Sequence, residues 1–135
     1  MRKYLRDSDV ILDYGCGTGL ISSEIASDVK MIHAVDISSK MIRIAKRKAD
    51  KRKIENIQYV HTTIFDERYT RESFDVILAF NVLHLLDDTH KVIQKMNELL
   101  KPGGLFISEI PCMGEKESFL SILISLASKI GIIQM

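Results

Sequence analysis

A glycine-rich turn joins a short apolar run to a helical pattern near the start of the chain. Val10 to Asp13 reads VILD, which is typical of a buried strand, and Asp13-Tyr14-Gly15-Cys16-Gly17-Thr18-Gly19 follows. From Thr18 to Ser27, apolar residues recur at helical spacing. Closely spaced glycines let the backbone turn tightly and approach another group closely. The segment therefore predicts a strand, a turn and a helix, with a ligand near the turn.

Strand and helix patterns alternate along the rest of the chain. Further strands are predicted at Met31 to Val35, Ile57 to Val60, Phe74 to Phe80 and Leu105 to Ile110. Helices are predicted after an N-cap at Ser38, with Met41, Ile42, Ala45 and Ala49 on the inner face, and from Thr89 to Leu100, where Lys101-Pro102-Gly103-Gly104 ends the pattern. This alternation predicts an α/β fold, a doubly wound, mostly parallel and Rossmann-like sheet. Such sheets bind ligands beyond the carboxyl ends of their strands.

The composition favours one domain without a strong global charge. A chain of 135 residues with 46% hydrophobic composition can bury one core, so residues 1–135 are expected to form a single domain. Lys and Arg number 19 and Asp and Glu number 18, which leaves a net charge of +1. This balance favours neither nucleic acid nor an anionic membrane as a partner.

One dense run of basic residues stands out from this balance. It comprises Lys40, Arg43, Lys46, Arg47, Lys48, Lys51, Arg52 and Lys53. An RNA-binding surface usually interleaves aromatic residues with the cations, and the segment from Met31 to Gln58 has none. The run is therefore interpreted as the solvated outer face of a helix, with nucleic-acid contact as the alternative.

Cysteine usage and the two ends of the chain bear on its compartment. Cys16 and Cys112 are too few for a disulfide framework or a zinc cluster, so no metal site is predicted. The start MRKYLRDSD lacks an apolar signal region, and a cytoplasmic location is expected. The apolar segment from Phe119 to Ile133 is predicted to be a helix, too short and too interrupted by serines for the roughly 20 residues that span a membrane.

An acidic residue follows the second predicted strand, as the first glycine of the turn follows the first strand. Asp36 can accept hydrogen bonds from the hydroxyls of a ribose. A dinucleotide fingerprint that began at Gly15 would require glycine at position 20, where this chain has Leu20. Asp13 would repel a pyrophosphate and attract an ammonium or sulfonium group. The residues favour S-adenosylmethionine over NAD.

Four segments follow one another along the chain: VILDYGCGTG, HAVDISSKMIRIAKRKA, SFDVILAFNVLHLLDD and LLKPGGLFISE. In order and spacing they resemble the motifs of class I S-adenosylmethionine-dependent methyltransferases, especially the small-molecule and quinone-type members. The resemblance runs from about Val10 to Glu109. It implies S-adenosylmethionine as cofactor, S-adenosylhomocysteine as product and a small-molecule methyl acceptor.

The resemblance also implies which residues contact the cofactor. The methionine part would lie along Asp13, Gly15, Cys16, Gly17 and Gly19, with Asn81 facing its end. Asp36 would bind the ribose, and Ile37, Met41, Thr63 and Ile64 would surround the adenine. Members of the family often place an aspartate where this chain has Thr63, and Asp66 is the alternative acceptor.

Methyl transfer mainly requires that the acceptor be held in line with the methyl group and shielded from water, so no nucleophilic residue is needed. His84 is a candidate general base, and a packed histidine is the alternative in its apolar VLHLL segment. Cys16 is interpreted as a small, inert loop residue. Cys112 either faces the acceptor or packs as a small hydrophobe.

Class I members usually continue past the fifth strand with a helix and an antiparallel hairpin. This chain is expected to have the helix and to lack the hairpin, as a form truncated at the C-terminus. The edge of Leu105 to Ile110 would then be unpaired and would favour self-association, together with the terminal helix. Two other functions stay open: a non-catalytic S-adenosylmethionine-binding module, and an NAD(P)-dependent oxidoreductase.

Overall fold

The structure is a computed structural model and describes residues 2–80, 89–111 and 119–125. Its strands are β1 (Val10–Tyr14), β2 (Met31–Asp36), β3 (Ile57–His61), β4 (Phe74–Phe80), β5 (Leu100–Pro111) and β6 (Phe119–Ser125). Its α-helices are α1 (Leu20–Ile25), α2 (Ser39–Lys51) and α3 (Thr89–Leu99). Short 3₁₀ turns at Arg2–Tyr4 and Ala26–Asp28 complete the described elements.

The six strands form one sheet in the order β3-β2-β1-β4-β5-β6. The first five are parallel, and β6 is antiparallel to β5. The order reverses between β1 and β4, which is where a doubly wound sheet opens a crevice at the carboxyl ends of its strands. The predicted α/β fold class is confirmed.

The core lies on both faces of the sheet because neighbouring strand residues point to opposite sides. Ile11 belongs to the cluster that includes α1 and α2 residues, and Leu12 to the cluster that includes α3 residues. Both side chains are completely buried. Strand β4 has the nearly continuous apolar sequence of a strand covered on both faces, and five of its seven residues are buried.

The structure predicted for the chain after β5 is wrong. Residues 119–125 form a strand, not part of a helix, and Phe119–Ser125 pairs with β5 from Pro111 back to Leu105. The expectation of an unpaired β5 edge is also wrong, because β6 covers that edge with an antiparallel strand. Self-association through this edge of β5 is therefore no longer expected.

Three smaller differences concern element limits and burial. Helix α1 is shorter than predicted, because its last turn is the 3₁₀ segment Ala26–Asp28. Strand β5 begins at Leu100, with a register shift between Phe74 and Val76 as the chain passes the proline and glycines. Met41 was expected on the inner face of α2, yet 40% of it is exposed.

No helix in the described part of the chain is long and apolar enough to cross a membrane.

Helix α2 begins as predicted, with a hydroxyl cap. The Ser38 Oγ accepts a hydrogen bond from the Met41 amide at 3.2 Å, which satisfies one of the free donors at the helix start. Ser38→Ala is expected to lower the free energy of unfolding by about 1 kcal/mol. Ser39→Ala, one residue further on, is expected to change it by less than about 0.5 kcal/mol, since no cap is lost. Urea denaturation of both variants measures the difference, and equal effects would contradict it.

Candidate cofactor-binding site

The glycine turn between β1 and α1, residues 15–19, is here called the glycine loop. Gly15, Gly17 and Gly19 have φ values of 71°, 57° and 83°, so all three adopt the left-handed conformation that favours glycine. The amides of Gly15 and Cys16 both donate to the Val35 carbonyl at 2.9 Å. The loop is thus tied to the carboxyl end of β2, next to the point where the strand order reverses.

Asp36 ends β2 and holds the same loop from the side. Its Oδ2 accepts a hydrogen bond from the Gly17 amide at 2.8 Å, and its Oδ1 accepts one from the Ser38 amide at 2.9 Å. The residue is half-buried. Each carboxylate oxygen has a second lone pair, so Asp36 can still accept two hydrogen bonds from a ligand.

Asp13, expected to contact the methionine part of the cofactor, lies near the carboxyl end of β1, just before the glycine loop. Only 3% of it is exposed, and the Ser22 hydroxyl of α1 donates to its Oδ2 at 2.5 Å. Burial raises the Asp13 pKa to about 6, the Ser22 hydrogen bond opposes this rise, and the charge of Asp36 adds to it. Asp13 is therefore a buried acid close to half-ionised in mildly acidic solution.

Cys16 lies in the loop as a free thiol, with its Sγ 3.7 Å from the Gly17 carbonyl. Burial, followed by the charges of Asp13 and Asp36, raises its pKa above the usual value. Because the thiolate is the reactive form, the thiol is a poor nucleophile at neutral pH.

The residues expected around an adenine lie in the segments that follow β2 and β3. Ile37 is 72% exposed, and Met41 is also exposed, at the start of α2. Thr63 is exposed, and its hydroxyl accepts a hydrogen bond from the Phe65 amide at 3.2 Å. Ile64, by contrast, is completely buried in the core cluster, so its side chain offers no surface to a ligand in this structure.

Asp66, the alternative acceptor for an adenine amino group, is engaged within its own loop. Its carboxylate accepts hydrogen bonds from the Thr62 hydroxyl at 2.7 Å and the Arg68 amide at 3.0 Å, and it pairs with the Arg68 side chain. The Arg68 amide and then Thr62 lower the Asp66 pKa below its usual value. These contacts keep the carboxylate ionised and hold it in the loop.

Two exposed apolar residues at this edge were not among the predicted site residues. Leu20, 63% exposed, directly follows the glycine loop, and Phe65, 51% exposed, follows β3. For Phe65, a large apolar residue in a loop after a strand was the available signal. Because parallel strands end at one edge of the sheet, these side chains and Ile37 all belong to the edge where a ligand is expected.

Asn81, His84 and Cys112 lie outside the described residues.

Asp13 generates a prediction about stability. Its folded pKa of about 6 exceeds the ordinary 3.8, so the folded state binds the proton more tightly than the unfolded state. Ionisation of Asp13 therefore lowers the free energy of unfolding. This loss grows as pH rises from about 4 to about 6 and then stays constant at about 3 kcal/mol. Asp13→Asn, which has no charge, should be more stable than the parent by about that amount at pH 7.5 and nearly equal at pH 4.

Urea denaturation at the two pH values measures this difference. Asp50→Asn, which removes an exposed carboxylate from α2, is the control. If the free energy of unfolding differs between Asp13→Asn and the parent by the same amount at both pH values, burial does not raise the pKa of Asp13.

A family model described as a methyltransferase domain matches residues 5–129. The ubiquinone biosynthesis O-methyltransferase of Haemophilus ducreyi is 37% identical over 109 residues, which cover 74% of this chain and 44% of that protein. The chain thus spans about half the length of the curated relatives it matches.

Solved structures show the same fold. The YcgJ protein of Bacillus subtilis matches with a TM-score of 0.77 and 25% identity, over 81% of this chain and 47% of that one. The phosphoethanolamine N-methyltransferase 2 of Haemonchus contortus, solved with phosphomonomethylethanolamine and S-adenosylhomocysteine, has a TM-score of 0.73 and 25% identity, over 78% of this chain and 25% of that one.

The glycine loop tied to Asp36 and the order of the sheet agree with the match of a methyltransferase-domain model to most of the chain. The chain therefore belongs to the S-adenosylmethionine-dependent methyltransferases.

Proposed function

We propose that this chain binds S-adenosylmethionine and transfers its methyl group to a small-molecule acceptor. The observation that carries the proposal is the glycine loop, held open at the carboxyl edge of the sheet by Asp36 and Val35. A Cβ added at Gly17 would meet no atom within 4 Å, so the loop leaves open space where a ligand can approach the backbone. Glycine loops of this kind allow such close approach.

In this proposal the ribose hydroxyls donate to Asp36, using the lone pairs that the Gly17 and Ser38 amides leave free. Ile37 and Met41 cover the adenine with exposed apolar surface. Thr63 supplies a neutral acceptor where the family often has an aspartate, and Asn81 contributes at the methionine end.

The buried Asp13 favours a cation in the glycine loop that follows it in the chain. A positive charge placed near an acid whose pKa is about 6 stabilises the carboxylate, whereas a pyrophosphate would disfavour it. S-adenosylmethionine carries an ammonium and a sulfonium group and no phosphate. The electrostatics of the loop therefore support this cofactor over NAD.

When bound, S-adenosylmethionine supplies an activated methyl group. The described residues contribute binding and orientation: the loop fixes one part of the cofactor, Asp36 another, and Leu20 and Phe65 add apolar surface at the same edge. For an acceptor that must lose a proton, His84 is the proposed base, acting from the segment after β4.

The proposed acceptor class rests on the relatives. Proteins named ubiquinone biosynthesis O-methyltransferases are 37% and 35% identical to this chain over the matched residues, which supports a small molecule with an oxygen acceptor. We also propose that residues 1–135 act as one cofactor-binding domain, in the cytoplasm. A chain that binds S-adenosylmethionine but transfers no methyl group to a phenolic acceptor panel would be a binding module instead.

Ligand choice gives the first test of this function. Calorimetric titration is expected to show saturable binding of S-adenosylmethionine and S-adenosylhomocysteine and no binding of NAD, because the loop suits a cationic ligand without phosphate. Saturable NAD binding with no response to S-adenosylmethionine would overturn the proposal.

Asp36 gives the second test. Alanine would also release the Gly17 and Ser38 amides, so asparagine, which keeps one acceptor oxygen, is the better substitution. Charge-assisted hydrogen bonds contribute about 1.5 to 3 kcal/mol each, so Asp36→Asn should raise the dissociation constant for S-adenosylmethionine at least roughly tenfold. Asp50→Asn on the exposed face of α2 is the control, and an unchanged constant for Asp36→Asn would place the ribose elsewhere.

A further inference from the structure

Gly19, the last glycine of the loop, is in contact with a tyrosine from the edge strand of the sheet. A Cβ added to Gly19 would lie 2.9 Å from Tyr59 Cζ and 3.1 Å from Tyr59 Cε1, and closer still to the hydroxyl oxygen. Tyr59 is only 5% exposed. Its hydroxyl and the adjoining ring atoms therefore fill the volume that any side chain at position 19 would need.

The register of the sheet explains how Tyr59 reaches the loop. Asp13 pairs with Ala34 across β1 and β2, and Ala34 pairs with Tyr59 across β2 and β3. Directly opposed residues of neighbouring strands point to the same face. Ala34 has the smallest side chain of this row, so the tyrosine ring has room to extend over it toward the loop.

The Tyr59 hydroxyl lies near another polar group, but its hydrogen-bonding capacity is poorly satisfied. It is fully buried, faces Ser23 of α1 and makes no hydrogen bond of good geometry in the described part of the chain. Ser23 in turn donates its backbone amide to the Gly19 carbonyl at 2.9 Å. Tyr59 thus contacts both the end of the loop and the first turn of α1.

Gly17 provides the contrast. Both glycines adopt positive φ, 57° at Gly17 and 83° at Gly19, yet a Cβ at Gly17 would meet open space. Backbone conformation alone accounts for glycine at position 17 in the ligand-free chain. At position 19, Tyr59 adds a second and independent reason.

The loop is therefore held from two sides. Its first half is tied to β2 by the Val35 carbonyl and the Asp36 carboxylate, through hydrogen bonds. Its second half, at Gly19, lies against β3 through the contact with Tyr59. β3 is the outermost strand of the sheet at this side, so the tyrosine links the sheet edge to the loop.

We infer that Tyr59 is a positioning residue, whose ring sets the path of the glycine loop at Gly19 and thereby the affinity for the cofactor. This inference rests on the proposed function for its binding readout. The ring does the positioning, and the hydroxyl, which makes no hydrogen bond of good geometry, is dispensable for it. Tyr59 thereby adds to the requirement for glycine that the left-handed φ already imposes at position 19.

A double-mutant cycle tests the contact. Gly19→Ala is expected to raise the dissociation constant for S-adenosylmethionine at least roughly tenfold, through the collision and the left-handed φ together. Leucine lacks the three tyrosine atoms nearest to Gly19. In the Tyr59→Leu background, the same Gly19→Ala change should therefore cost at least roughly threefold less. Gly17→Ala is the matched control, since Tyr59→Leu should not alter its effect.

Binding by the single variants tests positioning against a general loss of stability. Tyr59→Leu should raise the dissociation constant roughly three- to tenfold, and Tyr59→Phe should leave it within roughly twofold. Phe74→Leu also removes a buried ring but at the amino end of β4, where Phe74 pairs with Leu100. It should lower stability without changing the dissociation constant. In nitrogen-15 spectra of the ligand-free chain, Tyr59→Leu should shift the Gly19 amide, and Phe74→Leu should not.

The outcomes separate this inference from the proposed function. Binding that is unchanged in Tyr59→Leu, or costs of Gly19→Ala that are equal in both backgrounds, would overturn the inference while the cofactor assignment stands. If no variant and no parent binds S-adenosylmethionine, the proposed function fails, and the same cycle measured on the free energy of unfolding still decides the contact. If Gly19→Ala folds only together with Tyr59→Leu, that rescue supports the inference.

Discussion

The structure depends on one hard constraint, the passage of the chain from β1 into α1 through three glycines with positive φ. Residues other than glycine are sterically disfavoured in this conformation. Because glycine itself adopts many conformations, the turn keeps one path only where neighbouring groups hold it. Val35 and Asp36 hold it by hydrogen bonds, and both belong to the end of β2. The parallel pairing of β1 with β2 therefore does more than build the sheet: it brings the partners of the loop to the edge where the strand order reverses.

The same arrangement imposes an energetic cost at Asp13, next to the loop. Asp13 is buried at the end of β1 with one hydroxyl partner, Ser22, and with the charge of Asp36 nearby. Burial of a carboxylate with so few partners opposes folding above its raised pKa. A chain selected for stability alone would favour a neutral residue here. The charge is explained if a cationic ligand compensates for it, which is the kind of compromise between stability and function that binding sites show.

Much of the fold could be predicted from local patterns, and the failure after β5 has a physical reason. Strand β4 and the capped start of α2 were predicted at the observed residues, because a nearly continuous apolar run, interrupted only by Asp75, and a serine before an amphipathic segment each have one simple interpretation. In Phe119–Ser125, by contrast, Ser121 and Ser125 are four residues apart. That spacing puts two residues on one side of a helix and also of a strand. Pairing with β5 decides between them, and no local pattern contains that information.

The site divides along the same line between local and long-range information. The place of the glycines and Asp36 in the fold could be predicted, since each stands at or shortly after a predicted strand end. The burial of Ile64 and the contacts of Asp13 depend on packing across the sheet, and so does the role of Tyr59, which the sequence analysis treated only as part of a strand. A glycine motif therefore tells where the backbone must turn but not why each glycine is needed. At Gly17 the backbone conformation requires glycine, whereas at Gly19 the Tyr59 side chain from the edge strand β3 requires it as well.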